Sequence, residues 1–146
     1  MSKIVIIGAG AMGTAFSLPC LDNNNDINIV GTHLENDFID SLKKNQNLHP
    51  GLNIKIPEQI KIFKFEKFDD LLNSNVELIV LGISSKGIEW VADQLSRIFK
   101  GKNLPNLLML TKGLSIHENN YELLVDKLKR LLKSKGIVNA NISAVG

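Results

Sequence analysis

Apolar positions fall along this chain in two alternating rhythms. Short continuous runs occupy residues 4–7, 27–30, 76–83 and 107–110, rich in Ile, Val and Leu and closed off by Gly, Asn or polar residues. Such runs predict strands buried on both faces. Between them the spacing becomes helical. Ile88, Val91, Ala92, Leu95, Ile98 and Phe99 recur at i, i+3, i+4, i+7, i+10 and i+11, which predicts an amphipathic helix. Tyr121, Leu124, Val125, Leu128, Leu131 and Leu132 repeat that period, with Asp126, Lys127, Lys129 and Arg130 off the stripe, and predict a second helix from residue 121. Residues 11–21 read as a helix with Pro19 near its end and a turn at Asn23, Asn24 and Asn25. Residues 35–44 read as another, with Phe38, Ile39 and Leu42 on one face.

The stretch 46–59 holds His49-Pro50-Gly51 and Ile56-Pro57 and is expected to be irregular. A short strand over 61–65, a short helix over 69–72 and a last strand from residue 142 complete the pattern. Strand and helix therefore alternate from end to end, without a fixed-period repeat. That alternation predicts an α/β fold, a doubly wound parallel sheet in a single domain over 1–146.

Composition narrows the classes. The 146 residues are 44% hydrophobic and 22% charged, with mean hydropathy +0.04, which suits one domain with a real core. The longest apolar runs fall far short of the roughly 20 residues of a membrane-spanning helix. Seventeen basic and fifteen acidic residues leave a net charge of +2, and the 15 lysines are scattered. No nucleic-acid or membrane-surface partner is indicated. Cys20 is the only cysteine, so it forms no internal disulfide, and its helical, apolar neighbourhood reads as packing. His33, His49 and His117 lack ligand spacing, and no metal site is expected. The apolar run after Met1-Ser2-Lys3 is too short for a signal-peptide core, so the expected setting is cytoplasmic.

Gly8-Ala9-Gly10-Ala11-Met12-Gly13 is a G-x-G-x-x-G pattern that follows a predicted strand and opens a predicted helix. In that context it reads as a phosphate-binding loop for a dinucleotide. Gly8 permits the tight turn, Gly10 the close approach of a pyrophosphate, and Gly13 the packing of helix on strand. Ala11 and Met12 should face the ligand at the helix N-terminus, although Met12 also suits a core position. An acid commonly follows at the end of the second strand and grips a ribose 2′-hydroxyl. Here that place reads Gly31-Thr32-His33, with Glu35 two or three residues late. Thr32 and His33 would donate to a 2′-phosphate, so the cofactor is expected to be NAD or NADP, with the balance toward NADP. An exposed His33 without a ligand is the plainer alternative.

End to end, the chain resembles the N-terminal domain of the NAD(P)-dependent glycerol-3-phosphate dehydrogenases. The residues that carry the resemblance are the glycine triplet with Thr14-Ala15 after it, His49-Pro50-Gly51, Ile56-Pro57, Ile83-Ser84-Ser85, Thr111-Lys112-Gly113-Leu114 and Ile142-Ser143-Ala144-Val145-Gly146. Ile83 stands where the family often has a proline before a serine. The resemblance implies a Rossmann-type NAD(P)-binding domain within an oxidoreductase that interconverts sn-glycerol 3-phosphate and dihydroxyacetone phosphate, in glycerol-3-phosphate metabolism and phospholipid biosynthesis. It gives Lys112 a substrate-binding role and a place among the cofactor-binding residues, Ser84 a place at the nucleotide edge, and the full-length enzyme a homodimeric form. The family's general acid/base is a lysine in a following helical domain that is not among these residues, so no catalytic residue is expected in this chain and it should be inactive alone. A ketopantoate-reductase-like dehydrogenase shares the Gly-x-Gly-Ala-Met-Gly start and is the alternative enzyme; a non-catalytic dinucleotide sensor is the alternative outside enzymes.

Two further features have plain readings beside functional ones. Ser84-Ser85 has no acid–base partner pattern and reads as a loop rather than a nucleophile. Trp90 points away from the Ile88–Val91–Leu95 stripe and reads either as an exposed aromatic that faces another domain or subunit, or as a partly covered surface aromatic.

Overall fold

The computed structural model describes residues 1–145 and leaves Gly146, the last residue of the Ile142-to-Gly146 run, outside the described residues. The chain opens with β1 (Lys3–Ile7), α1 (Ala11–Asp22), β2 (Asp26–Val30) and α2 (Asn36–Lys44). A two-residue ladder follows, β3 (Leu48–His49) with β4 (Ile54–Lys55), and then β5 (Lys61–Phe63) and α3 (Phe68–Leu72). The remainder runs β6 (Leu78–Leu81), α4 (Ile88–Ile98), β7 (Asn106–Met109), β8 (Leu114–His117), β9 (Asn120–Leu123), α5 (Leu124–Ser134) and β10 (Ile142–Ala144).

Six strands form one parallel sheet in the order β10-β7-β6-β1-β2-β5. β1 is central: Ile4 pairs with Ile27 on one side and with Leu78 on the other. Successive strand residues point to opposite faces, so β1 feeds two cores. Val5 and Ile7 join Ile79, Leu81, Val91, Leu95, Leu128 and Leu132 under α3, α4 and α5. Ile4 and Ile6 join Ile27, Ile29, Ile39 and Leu42 under α2, with Phe16 and Leu18 of α1 packed against them. Cys20 is half-buried beside the second core. This is the doubly wound α/β fold that the alternating pattern predicts. No helix of the described residues is long and apolar enough to cross a membrane.

Two stretches depart from the sequence expectation. Tyr121 does not begin a helix: it lies in β9, which pairs antiparallel with β8. The turn uses Glu118 and Asn119, both with positive φ (49° and 64°), as a two-residue hairpin loop of the twisted kind requires. The helical spacing from Tyr121 to Leu124 is a coincidence of a period-two segment meeting a period-3.6 one. The irregular stretch 46–59 is also more ordered than its prolines suggest, since β3 and β4 pair within it.

Candidate dinucleotide-binding site

From β1 the chain winds outward one way through β2 and β5, then returns to β6 and winds the other way through β7 and β10. The gap between the carboxyl ends of β1 and β6 is thus the point where the winding reverses, and open α/β sheets bind ligands there. Glycines build that gap. Gly8 has φ +107°, and a Cβ on it would lie 2.3 Å from the Gly82 carbonyl oxygen. A Cβ on Gly13 would lie 2.9 Å from the Gly8 carbonyl oxygen, and one on Gly82 would lie 3.0 Å from Gly13 Cα. Three glycines therefore press the first loop, the start of α1 and the end of β6 together. Gly10 is different: a Cβ there would meet nothing within 4 Å. Its backbone faces open space.

Gly10 is also the N-cap of α1, and no side chain caps that helix. The first helical bond is Thr14 N–H to the Gly10 carbonyl, at 3.1 Å. The N–H groups of the first turn have no helical acceptor and lie at the positive end of the dipole. Ala11 and Met12 are exposed there, Met12 by 53%, so Met12 is no core residue. An anionic pyrophosphate fits this cradle: the donors, the dipole and the space without a Cβ coincide.

A cleft of about 610 Å³ opens beside Gly10, walled by Thr32, His33, Glu35, Gly82, Ser84 and Trp90 among others. Of the two readings of Trp90, the structure agrees with the partly covered aromatic rather than the exposed one. Trp90 is half-buried, with its ring 4.9 Å from His33, 5.8 Å from Phe65 and 5.7 Å from Phe68. The segment leading into α3 covers that side of α4, so the off-stripe position becomes a cleft wall. Ser84, exposed, opens the turn that leads into α4, where its carbonyl accepts from Gly87 N–H at 2.9 Å.

A carboxylate does reach the end of β2. Glu35 turns back from the start of α2, and its two oxygens accept hydrogen bonds from Thr32 N–H at 2.8 Å and Ala9 N–H at 3.1 Å. The expectation of no acid in this position is corrected: the turn from Thr32 to Glu35, closed by Glu35 N–H on the Thr32 carbonyl at 3.0 Å, brings the late residue back. Both oxygens face backbone donors. Thr32 keeps its hydroxyl proton, since its oxygen accepts from Leu34 N–H at 3.4 Å.

Lys112 is exposed in the loop after β7 and does not wall the cleft, although parallel strands place it on the same carboxyl edge of the sheet. Thr111 secures that loop by donating its hydroxyl to the Ile83 carbonyl, just before Ser84. The structure therefore brings together Gly8, Gly10, Ala11, Met12, Gly13, Thr32, His33 and Ser84, and holds Lys112 beside them. Sequence reasoning missed Gly82, which it read as the tail of a strand, and the reach of Glu35. It also missed His49, which is 3% exposed and sits against the glycine loop. A glycine directly after an apolar strand was the available signal for Gly82; Glu35 and the His49-Pro50-Gly51 run stood out in the sequence, but nothing local foretold their contacts with Ala9.

A glycine loop at the reversal point of a parallel sheet, opening the helix after its central strand, defines a Rossmann-type α/β domain. The family described as "NAD-dependent glycerol-3-phosphate dehydrogenase N-terminus" matches residues 3–142, and the chain belongs to that family. Among curated relatives, an NADP(+)-dependent glycerol-3-phosphate dehydrogenase of Archaeoglobus fulgidus is 33% identical over 117 residues, 80% of this chain and 33% of that protein. A glycerol-3-phosphate dehydrogenase [NAD(P)+] of Lactococcus lactis is 28% identical over 138 residues, 93% of this chain and 39% of that protein. The crystal structure of glycerol-3-phosphate dehydrogenase from Coxiella burnetii shares the fold at TM-score 0.72 and 18% identity, covering 98% of this chain and 40% of that one. The chain thus spans about a third to two fifths of the length of the relatives it matches.

Proposed function

We propose that this domain binds NAD(P) for an oxidoreductase that interconverts sn-glycerol 3-phosphate and dihydroxyacetone phosphate. The observation that carries the reading is Gly10: alone among the four glycines of the cradle it faces open space, at an uncapped helix N-terminus. The cofactor, when bound, supplies or accepts the hydride. The chain's own residues bind and orient. First-turn N–H groups of α1 hold the pyrophosphate, and the His33–Trp90 wall bounds the cleft beyond Gly10. Lys112, past the end of β7, takes the substrate side, where an ammonium stabilises charge on a carbonyl or hydroxyl oxygen.

Within NAD(P), our reading favours NADP. Glu35 turns both carboxylate oxygens toward N–H groups of the protein, while Thr32 and His33 present donors to the cleft. The relative from Archaeoglobus fulgidus, described as NADP(+)-dependent, agrees with this. Titration of NADPH and NADH against the wild-type chain and Gly10→Glu tests the binding reading. Wild type should bind and the variant should not, because a carboxylate there would occupy and repel the pyrophosphate; equal binding by both removes the loop from the argument.

A further inference from the structure

Ala9, the residue before Gly10, has its peptide groups held from two directions. Its N–H donates to Glu35 Oε2 at 3.1 Å, and its carbonyl lies 3.0 Å from His49 Nε2 and accepts from the Thr14 hydroxyl at 3.3 Å. Glu35 precedes α2 and His49 follows it, so both ends of one helical excursion close on one residue of the glycine loop. From this we infer that His49 is a positioning residue for the dinucleotide cradle, acting through the Ala9 carbonyl. The inference rests on the dinucleotide reading above.

The ring's chemistry supports a directed role. Gly51 N–H donates to His49 Nδ1 at 3.1 Å, so Nδ1 carries the lone pair and the proton stands on Nε2. Nε2–H therefore donates to the Ala9 carbonyl, and one neutral tautomer satisfies both contacts. The ring packs edge-on against Phe38 of α2 at 5.5 Å. The loop that carries it is pinned by its own bonds, Asn53 N–H to the His49 carbonyl at 2.7 Å and Ile56 N–H to the Asn47 carbonyl at 2.9 Å. Gln46, Asn47 and Asn53 all take positive φ there, a cluster of left-handed residues sustained only where the surroundings dictate it. Gly51 lies against Ala11 as well: a Cβ on it would be 3.7 Å from the Ala11 Cβ. The loop thus bonds to Ala9 on one side of Gly10 and stands near Ala11 on the other, and the Ala9 carbonyl is its handle. Turning that carbonyl would re-aim Gly10 and the donors after it, so the bond from His49 sets the cradle before any ligand arrives.

The test uses Trp90, the chain's single tryptophan and a wall of the cleft, as donor of fluorescence energy to a bound dihydronicotinamide. His49→Phe keeps the ring and its packing on Phe38 but loses both hydrogen bonds. It should melt as a folded protein and bind NADPH about tenfold or more weakly, the effect of one lost buried hydrogen bond. His49→Gln has an amide N–H at the reach of Nε2 and should stay within about threefold of wild type, whereas His49→Asn is one methylene too short for Ala9 and should resemble the Phe variant. Folded His49→Phe with wild-type affinity overturns the inference, as does His49→Asn binding as tightly as His49→Gln; that second comparison stands even if the Phe variant fails to fold. A wild-type chain that binds neither NADPH nor NADH would instead fail the dinucleotide reading, a separate outcome.

Discussion

Glycines that look equivalent in the sequence separate once their surroundings are known. Gly8 combines φ +107° with a Cβ position 2.3 Å from a backbone oxygen, so Gly8→Ala meets left-handed strain of about 1–2 kcal/mol and a clash that only backbone movement relieves. Gly10→Ala meets neither. We expect Gly10→Ala to melt within a few degrees of wild type yet bind cofactor at least about tenfold more weakly, because its methyl enters the pyrophosphate's approach. Gly8→Ala should lose about 2 kcal/mol or more in denaturant unfolding. Similar losses of stability for both would mean that Gly10 is structural too. Thr32→Asp would set a second carboxylate beside Glu35 at the cleft wall and should weaken NADPH more than NADH. A charge-assisted contact of about 1.5–3 kcal/mol makes the ratio move roughly ten- to a hundredfold. If Thr32→Asp and His33→Ala both leave that ratio unchanged, the adenosine ribose is read elsewhere. The glycine loop was legible because its chemistry is local to six residues. Glu35 was not, because its contact depends on a turn that doubles back from Thr32, and the position looked two residues late.

Among the elements, buried strands and the α4 and α5 stripes were legible from period alone, because each must hide one face and the spacing records which. The β8–β9 hairpin was not. Leu114 pairs with Leu123 and Ile116 with Tyr121, and this face is 57–78% exposed, so no burial enforced a pattern strong enough to stand out against the helix that follows. Its polar face is what ties it down. Arg130 of α5 donates to Glu122 at 2.6 Å, and the Ser115 hydroxyl joins at 3.1 Å. The Arg130 guanidinium, chiefly by its hydrogen bond, holds the Glu122 carboxyl below its ordinary value of 4.5. A lowered carboxyl stabilises fully above the unfolded-state value and loses that effect as pH falls through the lowered one. Arg130→Gln should therefore raise the Glu122 midpoint toward 4.5 and speed amide hydrogen exchange in residues 114–123 at neutral pH. NMR titration and exchange check both, and unchanged exchange would mean that the hairpin is held by its backbone ladder.

Taken whole, the molecule has two closed cores and one working edge. β1 supplies residues to both cores, so the sheet and the glycine cradle stand on packing contained within residues 1–145. We expect the cofactor to bind to this part of the fold. Turnover asks for more. Hydride transfer to dihydroxyacetone phosphate needs a proton donor at the carbonyl oxygen and ligands for the substrate phosphate, placed against the nicotinamide. On this edge Lys112 is the residue we assign to the substrate, and the relatives devote about three fifths to two thirds of their length to sequence beyond what this chain matches. We therefore expect the purified 146-residue chain to bind NADPH while oxidising none of it with dihydroxyacetone phosphate. Lys112→Ala should leave that binding within about twofold of wild type, since Lys112 lies outside the cleft walls and a solvent-facing contact is worth little. Absorbance at the dihydronicotinamide band, followed with and without substrate, reads the first outcome, and the Trp90 titration reads the second. Robust substrate-dependent oxidation would place a proton donor inside this domain. A large loss of NADPH affinity in Lys112→Ala would move that lysine from the substrate to the cofactor.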